Sequence, residues 1–187
     1  MEIRGPRVVL RDGRPEDAEA RLRWVTVELA WADWDAPWEA WEPVTPERVA
    51  KARASYEADV AEPPEAPRGR LFVELADGPL LGWVNQYHHD RANRTTLVGI
   101  DLCESAYWGQ GLGTEALGLW TEYLLREADL HRVGAETWSG NERMMRLADR
   151  LGFTLEGRLR ETVEVRGRRY DSLKYGLLHH EWRAPGR

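Results

Sequence analysis

Cysteine occurs once in the 187-residue sequence, at Cys103, so no internal disulfide is available, and no Cys/His cluster has zinc-ligand spacing. Lysine is almost as scarce: only Lys51 and Lys174 stand beside an arginine-dominated basic set. No apolar run approaches the roughly 18 residues of a membrane span. The charged opening MEIRGPRVVLRDGRPEDAEA has no apolar stretch ahead of a small-residue cleavage site. Neither a metal site, a membrane partner nor a secretory signal is therefore expected, and the cytoplasm is the expected location. Acidic residues outnumber basic ones, 32 to 26, for a formal charge of −6, which argues against broad nucleic-acid binding and favours a small cationic partner. With 42% hydrophobic and 31% charged residues, the chain is expected to fold over 1–187 as one ordinary domain.

What is present in quantity is glycine at one turn. Residues 107–116 read YWGQGLGTEA, and Leu112, Ala116, Leu117, Trp120, Tyr123 and Leu124 then recur at helical spacing to about residue 127. Glycines let backbone amides approach a ligand, and a helix N-terminus adds unpaired N–H groups and about half a positive charge, so the turn is a natural cradle for phosphate oxygens. A Walker A loop would need Gly-Lys-Ser/Thr at its end, and no lysine is there. A dinucleotide fingerprint can be drawn as Gly111-x-Gly113-x-x-Ala116 with Glu136 downstream, but Cys103 to Gln110 separate the glycines from the preceding strand pattern. An NAD(P)-dependent oxidoreductase is the distant alternative this leaves open.

Around the turn the pattern is mixed. RVVLR at 7–11 reads as a strand, and GRPEDAEARLRWV as a helix start. Thr45-Pro46-Glu47 opens a second helix that closes near residue 60. Strand patterns at 70–76, 80–87 and 95–102 form an antiparallel meander turning at DG 77–78 and DRAN 90–93. A strand at 131–138 precedes Ser139-Gly-Asn-Glu142, a capping-box pattern for the helix NERMMRLADRL, which Gly152 and Phe153 stop. A final strand pair turns near Gly167. The expected class is α+β, a mixed and mostly antiparallel sheet of about seven strands with about four helices. The tryptophan-rich VELAWADWDAPWEAWEP is a candidate loop.

WGQGLGTEA at 108–116 followed by SGNERMMRLADRLGF at 139–153 resembles the acetyl-CoA-binding core of the GCN5-related N-acetyltransferases (GNAT superfamily), and EGRLRETVEVRGRRYDSLKYGLLHHEW at 156–182 resembles its RimJ/RimL-like branch. The resemblance implies a GNAT fold, acetyl-CoA as cosubstrate, and transfer of its acetyl group to a primary amine, on a protein N-terminus or a small molecule, by direct attack. It places the backbone of Gln110, Gly111, Leu112, Gly113 and Thr114 against the CoA pyrophosphate. It sets the strand segment from Gly99 to Cys103, including Leu102 and Cys103, beside pantetheine as an oxyanion-stabilising edge. Asn141 falls on the family asparagine that contacts pantetheine, and Arg146, with Arg143, faces the 3′-phosphate.

For proton removal, Asp101 and Glu104 at the end of that strand are the candidate bases. The acid that returns a proton to the thiolate departs from the family pattern: Ala148 stands where many relatives have tyrosine, and Met144 where some have serine. Tyr175, with Tyr170, is the expected substitute. The missing acids also motivate an alternative, a noncatalytic acyl-CoA-binding domain. Trp31, Trp34, Trp38 and Trp41, interleaved with Asp33, Asp35, Glu39 and Glu42, are candidates for an aromatic and acidic acceptor wall, Trp34 and Trp38 foremost. The expected partners are acetyl-CoA and an amine acceptor, with a homodimer admitted.

Overall fold

The computed structural model describes residues 1–38, 43–61 and 66–184; Glu39, Trp41 and Glu42 of the tryptophan stretch lie outside these. Eight strands form one sheet in the order β1-β2-β3-β4-β5-β6-β8-β7: β1 (Glu2–Arg4), β2 (Val8–Arg11), β3 (Arg70–Leu75), β4 (Leu80–Asp90), β5 (Thr95–Leu102), β6 (Arg132–Trp138), β7 (Thr154–Val165) and β8 (Arg168–Leu178). Four α-helices accompany it, α1 (Ala18–Thr26), α2 (Pro46–Ala61), α3 (Leu112–Arg126) and α4 (Glu142–Arg150). The strand beyond the expected seven is β1, whose three residues are too few to show an alternation.

The largest core forms where the apolar face of α3 meets the sheet. Leu112, Ala116, Leu117, Trp120 and Leu124 pack with Leu71, Val73, Leu81, Val84, Val98, Val133 and Leu173. The spacing that reads as a helix in the sequence is therefore the spacing that buries this stripe. A second cluster, built on Trp24, Trp31, Phe72, Leu80 and Cys103, involves α1 and the loop after it.

Every neighbouring strand pair is antiparallel except β5 with β6. That parallel pair holds only at Thr95↔Arg132, Thr96↔Val133 and Leu97↔Gly134, after which the strands splay apart. Across its other edge β5 stays paired with β4 as far as Gly82↔Leu102. The Cys103 N–H donates to the Leu81 carbonyl at 2.7 Å. Antiparallel alternation then turns the peptide groups of Leu102 and Ile100 away from β4 and into the splayed gap.

Gly82 makes this close pairing possible. A β-carbon there would lie 1.8 Å from the Asp101 carbonyl oxygen, and backbone cannot yield as a flexible side chain can. Overpacking of this kind typically costs about 1–3 kcal/mol, so Gly82→Ala is expected to lower the melting temperature by about 2–12 °C for a domain of this size. A thermal melt matching that of the parent protein would contradict the close approach.

The start of α4 differs from the capping box read in the sequence. Asn141 is the cap: its Oδ1 accepts from the Met144 N–H at 2.9 Å. Ser139 lies upstream, where its Oγ accepts from the Asp171 N–H at 3.0 Å. Asparagine is as good a cap as serine, and the strand geometry before it uses the serine elsewhere. The stop is as expected, with Gly152 at φ +80° and the N–H of buried Phe153 donating to the Ala148 carbonyl at 3.0 Å.

Candidate functional site

The glycine turn is an open cradle. Gly109 and Gly111 have φ of +76° and +80°, and Gly111 is the left-handed N-cap of α3 with no side chain capping it. The first-turn N–H groups of Leu112, Gly113 and Thr114 have no carbonyl four residues earlier within the helix, and among the described residues no hydrogen bond from them is formed. The Glu115 carboxylate accepts from the backbone N–H of Arg7 (2.7 Å) and Val8 (3.0 Å) and from Arg7 Nε (2.9 Å), tying α3 to the start of β2. At Gly113 a β-carbon would come within 3.3 Å of Leu102 and 3.4 Å of Leu147, so glycine lets α3 pass close to β5 and α4.

From this turn a cavity of about 970 Å³ runs through the splayed gap to the tryptophan-rich loop. It brings together Asp101, Leu102, Gly111, Leu112, Gly113, Thr114, Asn141, Arg146, Trp34 and Trp38 from the sequence-derived set. Its lining cations, Arg143, Arg146 and Arg150, all come from α4, whereas Asp35, Asp101 and Glu136 lie among aromatic residues elsewhere in the cavity. Glu136 is paired with Lys174.

Other candidates fall outside this cavity. Gln110 directs its side chain to the Ala106 carbonyl (3.2 Å), while its own carbonyl accepts from Arg7 Nη1 (2.8 Å). Cys103 is fully buried, its N–H is committed to Leu81, and burial first, then nearby acids, pushes its thiol far above the ordinary range. It offers no donor to a cosubstrate. Glu104 is likewise spent: its carboxylate accepts from the Trp24 indole (2.8 Å) and from Arg23 (3.2 and 3.3 Å), anchoring α1 rather than serving as a base. Tyr175 is a core residue, 4% exposed and packed with Leu173 and Leu177, so it is not the sought acid. Tyr170 packs edge-on against Trp138 at 4.8 Å, also outside the cavity. Ala148 is wholly buried in the main core.

The residues at the middle of the cavity are tied together. The Trp108 indole donates to the Leu102 carbonyl at 2.7 Å. The Arg143 guanidinium lies over both Trp108 and Trp34, 4.5 and 4.7 Å from their ring centres. Asn141 Nδ2 and the Trp138 indole both donate to the Trp34 carbonyl, at 2.7 and 3.2 Å, so the loop is fastened to the start of α4. Arg146 pairs with Glu142 on the exposed helix face at 3.0 Å.

Asp101 has the most altered acid chemistry here. Burial raises its carboxyl first and the nearby Asp35 raises it further, a Trp83 hydrogen bond opposing both, so that its pKa is about 8. Tyr87 is pushed up to about 12 by burial and the neighbouring Glu136 and Asp35, and keeps its proton. The sequence reading passed over Tyr87, Asn85 and Trp83, which line the cavity from one face of β4. Their i, i+2, i+4 spacing within 80–87 is the signal that could have found them. Asp35, from the acidic set interleaved with the tryptophans, also lines the cavity, and Tyr107 does so without a comparable signal. Among the described residues no group of three His, Cys, Asp or Glu is placed to hold a metal ion, and no helix is long and apolar enough to cross a membrane.

A family model described as an acetyltransferase (GNAT) domain matches residues 7–154. The putative ribosomal N-acetyltransferase YdaF of Bacillus subtilis is 32% identical over 108 residues, covering 58% of each chain. Spermidine N(1)-acetyltransferase of Escherichia coli is 25% identical over 115 residues, covering 62% of this chain and 61% of that one. The matched part thus spans about three-fifths of the length of these two relatives. In three dimensions, the ribosomal L7/L12 alpha-N-protein acetyltransferase RimL, solved in complex with coenzyme A, superposes with a TM-score of 0.73 at 20% identity over 95% of this chain and 98% of that one. The microcin C7 self-immunity acetyltransferase MccE, solved with acetyl-CoA and AMP, gives 0.73 at 20% identity over 93% of each. At these identities the two structures bear on the fold alone.

Proposed function

The chain belongs to the acetyltransferase (GNAT) domain family, and from that premise we propose that it is an acetyl-CoA-dependent N-acetyltransferase acting on a primary amine. The single observation that carries this reading is the continuity of one cavity, from an amide cradle past the β5 edge to a half-buried carboxyl among aromatic rings. The cradle fits a pyrophosphate: Gly111, Leu112, Gly113 and Thr114 offer N–H groups at a helix start, and no side chain needs to move to expose them. The gap-facing peptide group of Ile100 and the N–H of Leu102, whose carbonyl is held by Trp108, suit an extended amide-bearing arm laid beside β5 as a further strand.

Acetyl-CoA, when bound, supplies the activated acyl group. The chain's own residues then have three tasks. The cradle and the β5 edge hold the thioester in place, and such positioning of two reactants can account for about 7–11 kcal/mol of the barrier. The aromatic walls receive the amine. Asp101 takes the proton that the amine nitrogen loses, a role suited to a group whose pKa of about 8 lies near the working pH. Tyr87, which holds its proton through the same range, is a donor available to the departing thiolate. The similarity to ribosomal and spermidine N-acetyltransferases supports protein N-termini and polyamines as the acceptors to try first.

Trp34 and Trp38 contribute the acceptor wall, with Trp38 edge-on to Trp138 at 6.3 Å. Replacing both by alanine is expected to raise KM for the acceptor about tenfold, with the affinity for acetyl-CoA nearly unchanged. Steady-state kinetics with each substrate varied in turn, beside calorimetric titration of acetyl-CoA, separate these effects. Equal losses on both sides would show that the tryptophans serve the packing of the loop and not the acceptor.

A further inference from the structure

We propose that Arg7 is the positioning residue of the amide cradle: from outside the cavity it fixes the plane of the Gln110–Gly111 peptide, so that the Gly111 N–H stands inward to meet the pyrophosphate of the cosubstrate. This rests on the reading of the cavity as an acetyl-CoA site. Gln110 has a glycine on each side, and both Gly109 and Gly111 sit at positive φ, so little within the turn itself stops that peptide from rotating. A trans peptide carries its C=O and N–H on opposite sides. Whatever holds the carbonyl therefore aims the amide.

Arg7 holds that carbonyl. Its Nη1 donates to the Gln110 oxygen at 2.8 Å while its Nε donates to the Glu115 carboxylate at 2.9 Å. One planar, rigid fork thus spans the residue before the N-cap of α3 and the first turn of the helix. The base of the fork is fixed as well. The Arg7 N–H donates to Glu115 at 2.7 Å, and the Arg7 carbonyl accepts from the Ala76 N–H at 2.8 Å. Gly111 lines the cavity and Arg7 does not, so the carbonyl is drawn outward and the amide is left on the cavity side.

The same contacts separate this role from a merely structural one. Glu115 also accepts from the backbone N–H groups of Arg7 and Val8, at 2.7 and 3.0 Å, and these bonds need no arginine side chain. The tie between α3 and β2 therefore outlasts a change of that side chain. Its guanidinium end is about half exposed, and an exposed ion pair adds little to stability. What truncation removes is the setting of one peptide group, and with it one aligned donor to an anion.

The test compares Arg7→Met and Arg7→Lys with the parent in the full chain. Nitrogen-15 relaxation follows the Gly111 amide in the protein without ligands, and titrations measure the affinity for acetyl-CoA and for S-acetylpantetheine, which carries the same thioester but no pyrophosphate. In Arg7→Met the Gly111 amide is expected to become mobile and acetyl-CoA to bind about tenfold more weakly, the loss of one hydrogen bond to a charged group. The affinity for S-acetylpantetheine and the melting temperature are expected to stay near those of the parent. Lysine keeps the charge but has no fork, so the weakening is expected to persist in Arg7→Lys. Unchanged acetyl-CoA affinity in Arg7→Met overturns the proposal. Equal weakening of acetyl-CoA and S-acetylpantetheine overturns it too and marks Arg7 as merely structural. Full affinity in Arg7→Lys with a mobile Gly111 amide would mean that charge alone acts, and would overturn the positioning role. A Gly111 amide held by Arg7 in a parent protein that binds no acetyl-CoA would leave the peptide lock standing and overturn the acetyltransferase reading instead.

Discussion

Asp101→Asn is expected to slow acetyl transfer by about 10²–10⁴-fold, the usual contribution of a positioned proton acceptor, while acetyl-CoA binds as before. The asparagine keeps the size of the side chain and its contact with Trp83 but cannot accept the proton. A second readout has a definite sign. A carboxyl raised to about 8 in the folded chain, against roughly 3.9 when unfolded, must be ionised at a cost above that range. Its proton therefore favours the folded state fully below the unfolded value, and that advantage is lost as pH rises from about 4 through about 8. Relative to Asp101→Asn, the parent protein is expected to lose thermal stability across that window, so the variant melts higher at pH 9 than the parent does. Loss of turnover with that gain in stability is the signature of a proton acceptor whose charged form the fold disfavours. Turnover near the parent rate would remove Asp101 from the chemistry.

Gly111→Val is expected to weaken acetyl-CoA binding by about a hundredfold, measured by calorimetry. Gly111 has φ of +80° at the N-cap of α3, where a side chain costs about 1–2 kcal/mol and a β-branched one more. The nearest atom to a β-carbon there is Arg7 Nη2 at 3.4 Å, so space is not the obstacle. Conformation is. Relief of the strain turns the peptide groups at 110–112 away from the cradle, and the N–H groups then no longer converge on one anion. Since 1.4 kcal/mol is tenfold in affinity, the loss of two aligned amides accounts for the expected factor. An unchanged affinity would mean that the turn does not hold the phosphates.

These two sites were unequally visible in the sequence. The turn and α3 were legible because both signals are local: glycines at three alternate positions, then an apolar stripe at helical spacing. The sheet class followed from alternation in 80–87 and 95–102, and β1 escaped because three residues carry no period. Facing was harder. Glu104 and Tyr175 were candidates by position along the chain, but which way each points depends on pairing with distant strands and on α1, whose Trp24 and Arg23 claim the Glu104 carboxylate. Asp35 lines the same cavity as Asp101 because the loop after α1 is fastened to α4 through the Trp34 carbonyl. The Ser-x-x-Glu pattern before α4 was ambiguous with an asparagine between its ends, and the asparagine is the residue that caps.

The most direct test of acetyl transfer in this cavity is thiol release from acetyl-CoA by the purified protein, over a panel of N-terminal peptides, polyamines, aminoglycosides and free amino acids, with acetyl-CoA binding measured alongside. The expected result is tight binding and thiol release stimulated by one class of cationic amine, together with the acetylated product. Tight binding with no release from any amine would contradict catalysis and favour a noncatalytic acyl-CoA-binding domain, and absence of binding would contradict the reading of the glycine turn.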